Sequence, residues 1–217
     1  MTSYHGNWGG PGVIRNWSGT VVPHHARFPQ QWWGVDSDLG VFGFEGITDG
    51  SSNTALFSEK LIGLAPGETT TPNGADGKRG VWTIGDKTSV ADSNSEAAAD
   101  STLAECRSVS GPSRGSPHWS YLSGAHYSLS YPWHMMNNAY THFNTPNGNT
   151  CVPSADGGCA EWGGRTGLVT ATSSHSGGVN VGMADGSVKF AKDSINPRAW
   201  WAAGTRKSKD IVSSDAF

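Results

Sequence analysis

The sequence predicts a β-rich α+β domain: an antiparallel sheet with a C-terminal β-hairpin and large glycine-rich loop insertions. Three observations predict it. Glycine supplies 30 of the 217 residues and proline 11, and these two residues punctuate a chain into short elements. Strong helix formers are few beside Gly, Ser, Thr and Asn, so helices should be short and rare. Near the C-terminus, a run with a period of two residues is bounded by a turn signal.

That run is the clearest element. Gly177 to Ala184 alternates as a strand, with Val179, Val181 and Met183 on one face. Asp185-Gly186 then reads as a two-residue hairpin turn. Ser187 to Ala191 returns as the partner, with Val188 and Phe190 sharing a face. Beyond it, Asn196-Pro197-Arg198-Ala199-Trp200-Trp201 predicts a short helix with proline in its first turn and Gly204 as its stop.

Earlier in the chain, residues 40–44 read as a short strand. Asp49-Gly50 marks a turn, and the apolar residues after Thr54 suit a buried strand. Residues 64–117 read as an insertion or long surface loop, with a short surface helix around Glu96 to Glu105. The whole chain, 1–217, is expected to form a single globular domain.

Charged residues are only 15% of the chain and the net charge is −3. The Lys and Arg residues form no basic stripe, which argues against nucleic acid as a partner. No apolar run approaches the roughly 20 residues of a membrane helix, so no membrane span is expected in this chain. No charged and apolar leader opens it, and Thr2-Ser3-Tyr4 already reads as domain interior, which places the natural start upstream.

Cys151 and Cys159 bracket the polar loop CVPSADGGC, and in an exported protein they are the expected disulfide. Cys106 would then be free or paired with an upstream region. Four histidines recur every eight residues, His118, His126, His134 and His142. They are either a coincidence of an aromatic-rich stretch or converging metal or substrate ligands.

The run S-H-S-G-G-V-N-V-G-M-A-D-G-S-V-K-F, residues 174–190, resembles the signature of a large bacterial prepilin-like family of unknown function. Its members carry His-x9-Asp-Gly near the end, here His175 with Asp185-Gly186. The segment ITDGSSNT with Glu59 resembles a second signature, and Trp200 to Ser214 resembles the family's C-terminus. The resemblance implies an exported, pilin-like or pseudopilin-like protein of the cell envelope or extracellular space. It implies partners in the envelope or secretion machinery, and the family is sometimes grouped with solute-binding proteins. The family's N-terminal anchoring helix is not in this sequence, and Ser176 stands where the family has proline.

The chemistry of these motifs has several readings. A fully extended strand would hold His175 and Asp185 about 33 Å apart, and Gly177-Gly178 permits a bend. In the structural reading, Asp185 caps its own turn, His175 satisfies a buried carbonyl, and Asn53 and Thr54 hydrogen-bond a turn. Gly178, Asn180 and Gly186 complete that structural motif. In the metal reading, Asp185, Asp49 and Glu59 are oxygen ligands for calcium, and His175 joins them for zinc. Such a centre would be structural or would activate water in a metal-dependent hydrolase. The sequence holds no H-E-x-x-H and no P-loop.

Tryptophan is abundant. Trp8, Trp17, Trp32, Trp33, Trp119, Trp133 and Trp162 lie in polar, glycine-rich contexts. They form either the core of a domain short in aliphatics or stacking platforms for a glycan or small solute. The preferred function is non-enzymatic, in assembly or surface binding.

Overall fold

The computed structural model describes residues 2–10, 18–22, 41–85, 95–114, 123–124, 138–153, 168–209 and 217. Its centre is a five-stranded sheet. Strand β1 (Tyr4–Asn7) lies between β2 (Ala55–Glu59) and β6 (Ala139–Tyr140), and β2 leads on to β8 (Gly178–Met183) and β9 (Val188–Lys192), giving the order β6-β1-β2-β8-β9. The β1–β6 pair is parallel and the others are antiparallel, so the sheet is mixed where a purely antiparallel one was expected. The return of residues 139–140 to the far side of β1 is a long-range event without a local sequence signal.

The α+β, β-rich class holds. Two further ladders flank the sheet: β3 (Thr69–Thr70) with β5 (Ser113–Arg114), and β4 (Val81–Ile84) with β7 (Thr150–Pro153). Helix α1 spans Glu96–Ser108 and α2 spans Pro197–Gly204. Asn196 caps α2 by accepting the Arg198 N–H, and Pro197 fills the first turn where no N–H is needed.

The hairpin forms, with Val179 opposite Ala191 and Val181 opposite Lys189, one residue off the pairing that a two-residue Asp185-Gly186 turn would set. Its turn differs from the expected two-residue form. Gly186 N–H donates to Met183 O, which puts Ala184 and Asp185 at the turn centre and leaves Gly186 at φ +88°. Only glycine takes that conformation without strain, and the longer turn spares Asp185 from it.

Val179, Val181, Met183 and Ala191 face a buried core with Trp8, Tyr140, Phe143, Leu168 and Trp200. Aromatic area thus replaces missing aliphatics. The stretch 64–117 supplies Val81, Trp82, Ile84, Ala99, Leu103 and Cys106 to this core, so it is more than a surface loop. Residues 41–43 are irregular and Phe44–Gly46 is a 3-10 turn, in place of the strand expected at 40–44. Val41 and Phe44 are exposed. The Glu45 carboxylate instead accepts the Gly43 N–H and holds the turn.

The disulfide joins Cys106 to Cys151, with Cα atoms 5.9 Å apart, and this corrects the Cys151–Cys159 pairing. Helix α1 packs its Ala99–Leu103–Cys106 stripe inward, and Asn149 Nδ2 donates to Cys106 O just before β7. The short CVPSADGGC spacing carries no trace of that helix. Cys159 lies outside the described residues.

Candidate functional site

Residues of the two segments singled out in the sequence meet on the outer face of the sheet. Tyr4 pairs with Glu59, Asn180 with Phe190, and Gly182 with both Phe57 and Val188. Paired residues share a face, so Tyr4, Phe57, Glu59, Asn180, Val188 and Phe190 all point outward. Tyr4 is 62% exposed and Val188 69%, with Phe57 and Phe190 also open.

Glu59 organises the centre of this face. Its backbone carbonyl accepts the Thr172 N–H, and the next residue's N–H goes to Ser3 O, so β2 leaves the β8 ladder here. Side chains continue the ladder. Glu59 Oε2 accepts the Asn180 main-chain N–H at 2.7 Å, and Ser58 Oγ donates to Asn180 O. Glu59 Oε1 accepts Asn180 Nδ2 at 3.3 Å and His175 Nε2 at 3.1 Å. The His175 side chain is 55% exposed and that of Glu59 15%. The ring sets its edge toward Phe190, and Ser173 Oγ accepts the His175 N–H.

His175 therefore meets a carboxylate at the surface rather than a buried carbonyl. Asp185 lies at the other end of β8, where its Oδ1 accepts the N–H and hydroxyl of Ser187, and these bonds hold its pKa below the usual carboxylate value. Asp49 lies at a third place. Its carboxylate accepts the Thr205 hydroxyl and the N–H groups of Ser208 and Lys209, tying the chain beyond α2 to the 49–54 turn. Asn53 Nδ2 donates to Asp49 O and Thr54 Oγ1 to Gly50 O within that turn. Of the four candidate metal ligands, only Glu59 and His175 come together. Among the described residues, no three His, Cys, Asp or Glu side chains stand close enough to share a metal ion.

Of the evenly spaced histidines, His118, His126 and His134 lie outside the described residues. His142 is buried, stacked on Trp200 with centroids 3.9 Å apart. Its Nδ1 donates to Trp200 O and its Nε2 accepts from Tyr140 OH, so it is a neutral core residue, and burial lowers its pKa to about 3. Of the tryptophans named as stacking platforms, Trp8 is buried and the other six lie outside the described residues. The letters Gly111-Pro112-Ser113-Arg114-Gly115 fit G-x-S-x-G. Ser113, however, belongs to the two-residue β5 ladder, not to the strand-to-helix elbow that exposes such a nucleophile.

Sequence reasoning missed a second polar group. Lys60 follows Glu59, the last residue of β2, and points inward, 2% exposed. Its Nζ donates to Thr172 Oγ1 at 3.4 Å. Burial and the nearby Arg79 charge hold its pKa down to about 8. The signal was present in the alternation, which puts Ser58 and Lys60 on the core side.

No curated protein and no solved structure matches the chain. The family model described as "Protein of unknown function (DUF1559)", whose short label reads as bacterial solute-binding, matches residues 2–198. With almost the whole length matched, the chain belongs to that family.

Proposed function

We propose that this chain is the globular domain of an exported, pilin-like envelope protein with an assembly or surface-binding role. One observation carries the reading: Tyr4, Phe57, Val188 and Phe190 stand exposed together on one sheet face. Large apolar side chains gathered on a single face mark a contact surface. The disulfide inside the core supports an oxidising compartment. The signature carboxylates of Glu59, Asp49 and Asp185 are spent on internal hydrogen bonds, which is the chemistry of a scaffold.

A glycan reading comes second. The rings of Tyr4, Phe57 and Phe190 surround a carboxylate, an amide and an imidazole, the donors and acceptors that sugar hydroxyls use.

Fractionation of cells making the natural gene product tests the first reading. The protein should appear in the envelope or extracellular fraction, and a Phe57→Ser/Phe190→Ser double variant that keeps its circular dichroism should lose its retention there. Recovery from the cytosol, or unchanged retention of the double variant, would overturn it. Tryptophan and tyrosine fluorescence titrated with a sugar panel tests the second.

A further inference from the structure

An open cleft of about 620 Å³ is lined in part by Ser173 and Ser174, just before His175 in the chain. That volume suits a small molecule. Its wall is cationic. Lys78 and Arg79, from the 3-10 turn Gly77–Arg79, line it together with Asp76, Ser3, Ser173 and Ser174.

Both cations are held in place by the backbone. Arg79 Nε donates to Ile62 O and Nη2 to Gly63 O, each at 2.8 Å, while Nη1 meets Asp76 at 3.0 Å. Lys78 Nζ donates to Ser173 O at 3.1 Å. These bonds fix the charges but leave donors over. A guanidinium has five N–H groups and an ammonium three, so among the described residues Arg79 keeps two and Lys78 two. The Ser174 hydroxyl is exposed and makes no hydrogen bond among the described residues.

The charge is also unbalanced. Lys60 is a buried cation near Arg79, and its one hydrogen bond among the described residues goes to a neutral hydroxyl. Of the described residues that line the cleft, Lys78 and Arg79 are cationic and only Asp76, itself half-exposed, is acidic, with the Lys60 charge buried near Arg79. A buried or half-buried cation cluster short of its counter-charge attracts an anion.

We propose that this cleft binds a small solute through an oxyanion group, a carboxylate or a phosphate, held by Lys78, Arg79 and Ser174. The site is separate from the exposed sheet face and stands whether or not that face binds a partner. Arg79 supplies a planar fork suited to two oxygens, and Lys78 supplies a point charge beside it. Leu61 and Ile62 give the cleft an apolar wall for the solute's carbon skeleton.

Isothermal titration of the full chain at low ionic strength tests this, with citrate, inorganic phosphate and glucose as probes. Citrate or phosphate should bind with a submillimolar Kd and glucose should not. Lys78→Gln should weaken binding at least tenfold. Asp76→Asn, a surface change that leaves the fold alone, should tighten it several-fold. Binding of citrate alone identifies an organic acid, and binding of phosphate a phosphorylated or inorganic ligand. No heat with either anion, or an affinity that Asp76→Asn leaves unchanged, would overturn the proposal.

Discussion

The Glu59 carboxylate accepts the Asn180 main-chain N–H at 2.7 Å, so a side chain completes the β2–β8 ladder after the β2 backbone has turned away. Glu59 and the His175–Asp185 segment lie far apart in the chain, and this bond is where they meet. Glu59→Gln leaves one acceptor oxygen for three donors and removes the charge that strengthens each bond. It should cost about 1–3 kcal/mol in urea unfolding. His175→Ala should cost less, about 0.5 kcal/mol, because its ring is half in water. A Glu59→Gln variant as stable as the parent would show that the carboxylate does not hold these strands.

The disulfide gives a second test. Cys106 and Cys151 are 45 positions apart, and a cross-link over that span removes loop entropy worth about 4 kcal/mol from the unfolded chain. Cys106→Ser/Cys151→Ser should lower stability by that order. Peptide mapping without reduction should recover the Cys106–Cys151 pair, with Cys159 linked to neither. A Cys151–Cys159 peptide would contradict the structure.

Much of the fold was legible because its signals are local. The β8–β9 pair follows from alternation around Asp185-Gly186, and α2 follows from Asn196-Pro197 at its start. The site was half legible. Resemblance singled out Glu59, His175 and Asn180 as signature residues, but nothing local says that Glu59 reaches Asn180 across 121 positions. Spacing suggested Cys159 for Cys151, since a neighbour along the chain is all that spacing can see. The cleft was illegible for the same reason. Lys78, Arg79 and Ser174 converge only after the Gly77–Arg79 turn and the Ser173–Ser174 segment are brought together, and each alone reads as ordinary surface chemistry.

Two glycines of the hairpin separate backbone strain from collision. Gly186 holds φ +88° with open space around it, so Gly186→Ala should cost about 1 kcal/mol from conformation alone. At Gly178 a methyl group would collide with Ala191 O and the Phe190 ring. Gly178→Ala should therefore cost more, about 3 kcal/mol, and shift the β8–β9 amide resonances. Equal losses at the two positions would mean that the hairpin end relaxes more freely than its packing implies.

Two buried histidines set the acid side of the stability curve. Burial lowers the pKa of both His5 and His142 from 6.5 to about 3, with the Lys60 charge adding to the effect at His5. Between those values the unfolded chain binds protons that the folded chain refuses. Stability therefore rises with pH through this window and is lost as pH falls below 6.5. Each histidine contributes a slope of about 1.4 kcal/mol per pH unit. The urea midpoint should drop steeply from pH 6.5 to pH 5, before carboxylates titrate. His142→Gln can still accept from Tyr140 and donate to Trp200 O, so it should fold and show about half the slope. A flat profile over that interval would mean that these rings find water or charge on acidification, and that the Tyr140–His142–Trp200 stack is not the closed, neutral core described above.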